Sequence, residues 1–269
     1  MCFNMVIVNY SSKEIPSRII DIVKNQMRLN SHGFSFHAVI NDNDIVLRTL
    51  DGKKYISELK NVTKMPLSLL HVHLRLASAG SISEQNIHMW KVGDYRISHN
   101  GSVSQFAGRY YLSLSYGYSH SLYNNKLYIN ETRNASEKSD TLQLIETSEF
   151  TNAMNNINRP SILWDVLTKY GFYGVMFMTS KDKVIAVSKS KSIHIYAIDN
   201  LLVFVNENIF EKVKNVKRFG FKFSYNMTLH TSYIDTIILY DVKAMKPKFY
   251  KPKQHSYYYS YKGGGKWWK

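Results

Sequence analysis

The sequence predicts an α+β domain in which two groups of β-strands are separated by helices. Short apolar segments typical of strands occur at residues 4–9, 36–40 and 45–49, and they return in close succession after residue 171. Helical patterns lie between the two groups. With 269 residues, of which 44% are hydrophobic, the chain is long enough to bury a substantial core. These observations together predict a layered domain of sheets and helices.

The first half of the chain is predicted to hold one helix, several strands and one tight turn. Residues 16–29 form the helix, and a polar turn at 41–44 joins two strands. Residues 69–76 are strand-like. The segment HNGS at 99–102 is predicted to be a turn, because Asn-Gly is the usual signal of a type I′ hairpin. One face of the helix is apolar and carries Ile19, Ile20, Val23 and Met27.

The second half of the chain is predicted to begin with two helices and to end in strands. One helix starts near Asp140 and the other near Ser161. The strands that follow are YGVMFMTS, KVIAVSKS, SIHIYAI, LLVFVN and TIILYDV. We see no internal repeat and no linker before about residue 243, so we predict one domain over residues 1–245.

The remaining segment, residues 246–269, is predicted to be a separate basic and aromatic tail. The chain has a formal net charge of +15, and this segment contributes seven lysines and no acid. One interpretation is a flexible tail that docks on a partner protein. The other is a nucleic-acid contact, made by lysine–phosphate attraction and by stacking of bases on Tyr and Trp.

Cysteine usage and hydropathy limit the cellular setting. The chain has a single cysteine, Cys2, which excludes a framework of disulfides and favours a reducing compartment. No segment has the length of a membrane span, and the apolar run at 5–8 is too short for a signal peptide. We therefore expect a cytoplasmic protein without membrane contact. The abundance of Lys, Asn, Ile and Tyr is typical of an AT-rich genome, such as that of a virus or mobile element.

Three short segments stand out, and each has a simple structural explanation. HLRLASAG at 73–80 fits a strand that enters a loop, and SHNGS at 98–102 fits a hairpin turn. SDT at 139–141 fits the cap of a helix. None of the three predicts a function alone.

In this order behind Cys2, the three segments resemble the motifs of class II glutamine amidotransferase domains, which have an N-terminal nucleophile. That family opens with Met-Cys and then carries H-x-R-x-A-T-x-G, a downstream Asn and His, H-N-G, and S-D-T before a helix. Asn86 and His88 match the downstream pair. The likeness extends over roughly residues 2–242. It implies a four-layer αββα sandwich of two mainly antiparallel sheets flanked by helices.

The resemblance implies that Cys2 is the catalytic nucleophile. Removal of Met1 would give Cys2 a free α-amine, whose pKa of about 7.7–8 suits a general base at cellular pH. The resemblance further implies that the Asn100 side chain and the Gly101 backbone N–H donate to the oxyanion of the tetrahedral intermediate.

Substrate recognition is implied for three further residues. Arg75 suits a two-pronged contact with the α-carboxylate of glutamine, and Asp140 suits its α-ammonium. Backbone groups near Ser78 are expected to add hydrogen bonds. No cofactor is implied, and we predict no metal site because the histidines at 73, 88 and 99 fit no zinc spacing.

The sequence departs from the family pattern at several positions. Ser78 replaces the usual threonine, Leu142 follows SDT where Glu is usual, and Phe3 replaces a small residue. Leu76 takes the place of a tryptophan found in some synthases. A Tyr-rich stretch at 109–130 lengthens the segment between the last two motifs and is predicted to form a hairpin.

No segment of domain size follows residue 242, although synthases fuse the glutaminase to a domain that uses the ammonia. We therefore expect a stand-alone glutaminase that delivers ammonia to a partner protein, with residues 246–269 as the docking segment. One alternative is a hydrolase of another γ-glutamyl amide or peptide, since Arg75 and Asp140 would still bind the γ-glutamyl end. The other is a non-catalytic binding or structural protein that keeps the fold.

Overall fold

A computed structural model of the chain describes residues 2–11, 14–106, 137–207 and 227–252. Within these residues the chain forms thirteen strands, five α-helices and one short 3-10 helix at Glu84–Asn86. In chain order the α-helices and strands are β1 Phe3–Asn9, α1 Ser17–Met27, β2 Phe34–Ile40, β3 Asn43–Thr49, α2 Gly52–Thr63, β4 Leu67–Leu74, β5 Trp90–Val92, β6 Tyr95–Val103, α3 Asp140–Ile145, α4 Ser148–Asn155, α5 Pro160–Lys169, β7 Phe172–Thr179, β8 Lys183–Lys189, β9 Ile193–Ile198, β10 Leu201–Val205, β11 Met227–Tyr233, β12 Thr236–Asp241 and β13 Lys246–Tyr250.

The strands form two antiparallel sheets. The first has seven strands in the order β11-β9-β10-β1-β4-β2-β3, and the second has six in the order β13-β12-β8-β7-β6-β5. In the first sheet β1 is central, with Met5 opposite Val205 on β10 and opposite Val72 on β4. In the second sheet β6 pairs with β7 so that Gly101 lies opposite Gly174.

Three apolar clusters show how the layers stack. The first joins α1 and α2 to one face of the first sheet, and the second joins α3, α4 and α5 to the outer face of the second sheet. The third lies between the sheets, where Val6 and Leu69 of the first sheet pack with Phe177 and Ile238 of the second. The chain is therefore a four-layer αββα sandwich, and the predicted fold class is confirmed.

Helix α2 was not predicted, although the sequence carries its signals. The carboxylate of Asp51 accepts hydrogen bonds from the backbone N–H groups of Lys53 and Lys54, which caps the first turn. Tyr55, Leu59 and Val62 are buried on the sheet-facing side. The many charged residues between them conceal this apolar face in a linear reading.

The turn predicted over residues 99–102 is wrong, because these residues continue strand β6. A type I′ turn needs positive φ at both central residues, and neither Asn100 nor Gly101 has it. The segment instead pairs with β7, with Asn100 opposite Val175. A long-range strand partner thus overrides a strong local turn signal.

Two further segments differ from the predictions or lie outside the description. The helix predicted near Asp140 is divided in two, since Thr147 caps a new helix, α4. Residues 246–250 form β13 at the edge of the second sheet, so the predicted tail begins with a paired strand. The hairpin predicted at 109–130 and residues 253–269 lie outside the described residues.

Among the helices that the structure describes, none is both long and apolar enough to cross a bilayer.

We expect Asp51→Ala to lower the free energy of unfolding by about 1 kcal/mol, because it removes the cap of α2. Urea denaturation measures this change. Glu58→Ala, at an exposed position of the same helix, is the matched control and should change stability by less than about 0.5 kcal/mol. Equal effects of the two substitutions would contradict the capping role.

Candidate active site

Cys2 lies directly before β1, at the end of a central strand. Its sulfur accepts a hydrogen bond from the backbone N–H of Leu76 at 3.3 Å, and Sγ lies 3.5 Å from the carbonyl oxygen of the same residue. Burial raises the pKa of the thiol, while the Leu76 hydrogen bond lowers it. The backbone N–H is thus positioned to stabilise a thiolate once it forms.

The backbone around Cys2 is held by Asn206, just after β10. The Asn206 side chain accepts from the N–H of Asn4 at 2.6 Å and donates to the carbonyl of Cys2 at 3.1 Å. The backbone N–H of Asn206 donates to the carbonyl of Asn4 at 3.2 Å. One amide therefore extends the strand pairing of β1 as far as the cysteine.

Arg75 follows β4 and is 2% exposed. Its two terminal nitrogens donate to the carbonyls of Ala79 at 2.9 Å and Ser81 at 2.8 Å, so the guanidinium holds the loop after β4. Burial lowers its pKa, and the nearby Cys2 and Asp140 raise it. Three of its five N–H groups have no acceptor among the described residues and can bind another one.

The loop after β4 packs against the SDT segment. At Gly80, with φ +73°, an added Cβ would lie 2.6 Å from the backbone nitrogen of Ser139, so only glycine permits this approach. Asn86 joins the same two segments, because its side chain accepts from the N–H of Ser139 at 2.7 Å and donates to the carbonyl of Ser81 at 3.0 Å. The first and third motifs are therefore adjacent in the fold.

Asp140 is buried at the first turn of α3, and its carboxylate is fixed by backbone donors. Oδ2 accepts from the N–H of Val103 at 2.7 Å, and Oδ1 accepts from the N–H of Thr141 at 2.7 Å. Oδ1 also accepts from the hydroxyl of Thr141 at 3.3 Å, so among the described residues Oδ2 is the oxygen that keeps a lone pair for a cation. Ser139 caps the helix by accepting from Leu142.

The second motif lies inside β6. The side chain of Asn100 is 2% exposed, and it has no hydrogen-bond partner among the described residues. A Cβ at Gly101 would overlap the carbonyl oxygen of Tyr173, so glycine is required for the close pairing with β7. The amide of Asn100 is therefore a preformed donor without a competing partner in the described part of the chain.

The two sheets meet next to Cys2 and Asn100. The hydroxyl oxygen of Ser98, on β6, lies 2.7 Å from Oδ1 of Asn4, on β1. Side chains two positions apart on a strand lie on the same face of the sheet. Asn100 therefore lies on the same face as Ser98, and Cys2, two residues before Asn4, lies on the side of Asn4. Both Arg75 and Asp140 interact electrostatically with the Cys2 thiol. The predicted residues Cys2, Arg75 and Asp140 are thus gathered at one end of the sandwich.

The histidines of the motifs form an uncharged buried cluster. The rings of His73 and His88 stack with centroids 3.7 Å apart, and His88 Nδ1 accepts from the N–H of His99 at 3.1 Å. Burial lowers the pKa of His73 to about 3 and that of His99 to about 4. Within the described residues no group of three or more His, Cys, Asp or Glu side chains is arranged to hold a metal ion.

The structure also shows what the sequence did not reveal about the site. Ser78 is exposed in the loop after β4, and its predicted role stays a prediction. Asn4 and Asn206 were not predicted, and only the strand register brings them to Cys2. Lys191, whose pKa is lowered by burial and raised by Cys2, is a second cation near the thiol that no motif indicated.

Comparison with known proteins extends the likeness at the level of the fold. No protein-family model matches the chain, and no curated protein matches it in sequence. Among solved structures, it is similar to the glutamine phosphoribosylpyrophosphate amidotransferase of Bacillus subtilis, with a TM-score of 0.54 and 11% identity over 93% of this chain.

A structure described as the allosteric regulatory enzyme of purine biosynthesis gives a TM-score of 0.57, again at 11% identity over 93% of the chain. In both comparisons the match covers 49% of the other protein, so the chain spans about half the length of the structures it matches. The chain therefore has the fold of the matched half of these two structures.

We expect Gly101→Ala to lower the free energy of unfolding by about 3 kcal/mol, because the added methyl group overlaps backbone that cannot move aside. Gly93→Ala is the control: φ at Gly93 is +58° but nothing lies within 4 Å of the added Cβ, so backbone strain of about 1 kcal/mol is the expected cost. Chemical denaturation of both variants measures the difference. A loss at Gly101 no larger than at Gly93 would contradict the overlap.

Proposed function

We propose that the domain hydrolyses the side-chain amide of glutamine through a thioester on Cys2 and releases ammonia. One observation carries the proposal: the thiol of Cys2 accepts from the N–H of Leu76 while interacting with the charges of Arg75 and Asp140. A nucleophile, a cation and an anion at one place match the chemistry of an amide substrate that bears α-carboxylate and α-ammonium groups.

The reaction needs a base for the thiol, because burial raises its pKa. After removal of Met1, the α-amine of Cys2 takes the thiol proton, and the thiolate attacks the side-chain carbonyl carbon of glutamine. The C–N bond then breaks, and the protonated α-amine of Cys2 returns the proton to the departing nitrogen, which leaves as ammonia. Water attacks the γ-glutamyl thioester, the C–S bond breaks, and glutamate leaves with the thiol restored.

The negative oxygen of the tetrahedral intermediate requires donors that are in place beforehand. Asn100 supplies a side-chain amide with no partner among the described residues, and the Gly101 N–H is the second donor of the proposal. An apolar residue at position 100 would leave this oxygen without its amide donor. The Leu76 N–H supports the preceding step, the attack by Cys2, because it stabilises the thiolate.

Substrate recognition follows from the spare hydrogen-bonding capacity of two buried charges. Arg75 uses two N–H groups on the loop carbonyls, and the remaining three suit the α-carboxylate of glutamine. The carboxylate of Asp140 accepts from two backbone N–H groups and from the hydroxyl of Thr141, and the remaining lone pair of Oδ2 suits the α-ammonium. The loop and the helix thus orient both groups before substrate binds.

The proposal extends to the setting of the reaction. A thiol nucleophile works in a reducing compartment, which supports a cytoplasmic location. Ammonia is transferred to a partner protein, and residues 246–269 are the proposed docking segment. Its described part supports this, because β13 is an edge strand with exposed Lys246, Lys248 and Phe249.

We expect wild-type protein to release ammonia from glutamine, Cys2→Ala to release none, and Asn100→Ala to reduce kcat by a factor of about 10²–10³. Asn61→Ala, at an exposed amide on α2, should leave kcat unchanged. Intact mass of the active protein should show that Met1 has been removed. Ammonia release by Cys2→Ala, or full activity with Met1 retained, would contradict the proposal.

We expect Arg75→Lys and Asp140→Asn to raise the KM for glutamine by about tenfold or more, because each removes one of the two contacts with the α groups. Steady-state kinetics measures KM, and thermal unfolding of the same samples separates lost recognition from lost folding. If both folded variants keep the wild-type KM, the recognition assignment is wrong.

A further inference from the structure

A chain of polar side chains crosses the apolar interface between the two sheets. Its inner members come from five strands, and each of the five is 0% exposed. The surrounding cluster is hydrophobic, so polar groups here are costly unless they are hydrogen-bonded. The five residues, from β2, β7, β4, β6 and β1 respectively, are His37, Thr179, His71, Ser98 and Asn4.

The outer half of the chain begins at the protein surface. Asp44 has a side chain that is 45% exposed, and its Oδ1 lies 3.0 Å from Nε2 of His37. On the other side of that ring, Nδ1 lies 2.9 Å from the hydroxyl of Thr179, which in turn lies 2.8 Å from Nδ1 of His71. A single hydroxyl therefore bridges two imidazole rings.

The inner half of the chain ends next to the nucleophile. Nε2 of His71 lies 2.6 Å from the hydroxyl of Ser98 and 3.3 Å from Oδ1 of Asn4, and Ser98 lies 2.7 Å from the same oxygen. The Nδ2 atom of Asn4 is buried without a partner in the described part of the chain. The backbone of Asn4 is joined to that of Cys2 by Asn206, as described above.

When His37 is uncharged, the carboxylate of Asp44 fixes the direction of every bond. The carboxylate can only accept, so Nε2 carries the proton and Nδ1 accepts from Thr179. The hydroxyl of Thr179 then accepts from Nδ1–H of His71, and Nε2 of His71 accepts from Ser98. Ser98 has no proton left for Asn4, so the Asn4 amide turns its unpartnered Nδ2 towards Ser98.

When His37 is protonated, the same chain runs in the opposite direction. Nδ1–H of His37 now donates to Thr179, and Thr179 donates to Nδ1 of His71. Nε2–H of His71 donates to the hydroxyl oxygen of Ser98, and the hydroxyl of Ser98 donates to Oδ1 of Asn4. The two states differ by one proton, which His37 carries. His71 holds one proton in each state, on Nδ1 in the first and on Nε2 in the second.

We propose that this chain is a hydrogen-bond relay that transmits protonation at His37 to the orientation of Asn4 and hence to the positioning of the Cys2 nucleophile. The proposal rests on the proposed function only in taking Cys2 as the reactive group. His37, Thr179, His71 and Ser98 are positioning residues in this scheme, because none of them touches the sulfur.

Among the described residues, three charged or titratable groups face His37. Asp44 on β3 favours the protonated ring, whereas Arg96 on β6 and the neighbouring His71 on β4 oppose a second positive charge. Burial is the largest influence and lowers the pKa of His37; burial also keeps His71 uncharged, with a pKa well below its ordinary value. The uncharged direction therefore prevails at neutral pH, and the relay reverses as the pH falls through the pKa of His37.

The test measures the reactivity of Cys2 directly, without glutamine. Cys2 is the only cysteine, so its rate of reaction with 2,2′-dipyridyl disulfide can be followed from acid to alkaline pH. We expect one inflection from the thiol and a second, below pH 7, from His37. Asp44→Asn removes the counter-charge and should move the second inflection to lower pH by about one unit or more.

Matched variants distinguish the relay from a general charge effect. Asp42→Asn removes the same charge two residues away, at an exposed position with φ +61° that asparagine tolerates, and should leave both inflections in place. Thr179→Val keeps the shape of the side chain but interrupts the chain, so the second inflection should disappear. Nitrogen-15 shifts of His71 should report a change of tautomer with pH in wild type and not in Thr179→Val.

A profile with a single inflection in wild type, or a second inflection that Asp44→Asn leaves in place, would overturn the relay. The same holds if His71 keeps one tautomer across the pH range. Failure of the proposed function has a different signature, in which both inflections are present but glutamine yields no ammonia.

Discussion

The pairing of β1 between β4 and β10 is the constraint on which the site depends. Because Phe3 lies opposite Leu74, the residue before the strand comes to lie beside the end of β4, where Leu76 reaches its sulfur. On the other side the ladder ends at Val205 opposite Met5, and Asn206 continues it with side-chain bonds. Cys2, which directly precedes the strand, is thereby held by hydrogen bonds to both neighbouring segments.

The remaining motifs are brought to this point by close backbone contacts rather than by their own side chains. Gly80 lets the loop after β4 reach Ser139, and Gly101 lets β6 approach β7. In each case a Cβ would collide with backbone atoms. These glycines therefore determine which segments can meet, while Arg75 and Asp140 supply the charges once the segments have met.

Much of the fold could be predicted from the sequence because its strands are continuous apolar runs. β7 and β8 lie in the central part of the second sheet and are buried over most of their length, which makes them recognisable from hydrophobicity alone. The Asn100-Gly101 turn was predicted wrongly for a physical reason: the local signal for a hairpin is strong, and the partner that overrides it, Gly174, lies far along the chain. No short window of sequence contains both.

The residues of the candidate site likewise fall into two groups, those that the sequence predicted and those that it did not. Cys2, Arg75 and Asp140 were predicted because each lies in a short motif, whereas Asn206 and the chain from His37 to Asn4 were not, since their members lie on separate strands. Single polar residues such as Thr179 look like ordinary strand residues in sequence. Only the register of both sheets, together with the packing of one on the other, shows that they touch.

The buried polar chain also bears on how the two sheets are matched. An apolar interface alone tolerates sliding of one sheet over the other, because hydrophobic contact is not directional. The hydrogen bonds between Ser98 and Asn4, and those that join Thr179 to both histidines, are directional, and a shift by one residue would leave all of them unpaired in a dry interior. The same bonds that carry the proposed signal therefore also favour a single alignment of β6 and β7 over β1, β2 and β4. Because the proposed oxyanion donor Asn100 is on β6 and the proposed nucleophile Cys2 precedes β1, that alignment is a condition for the proposed chemistry.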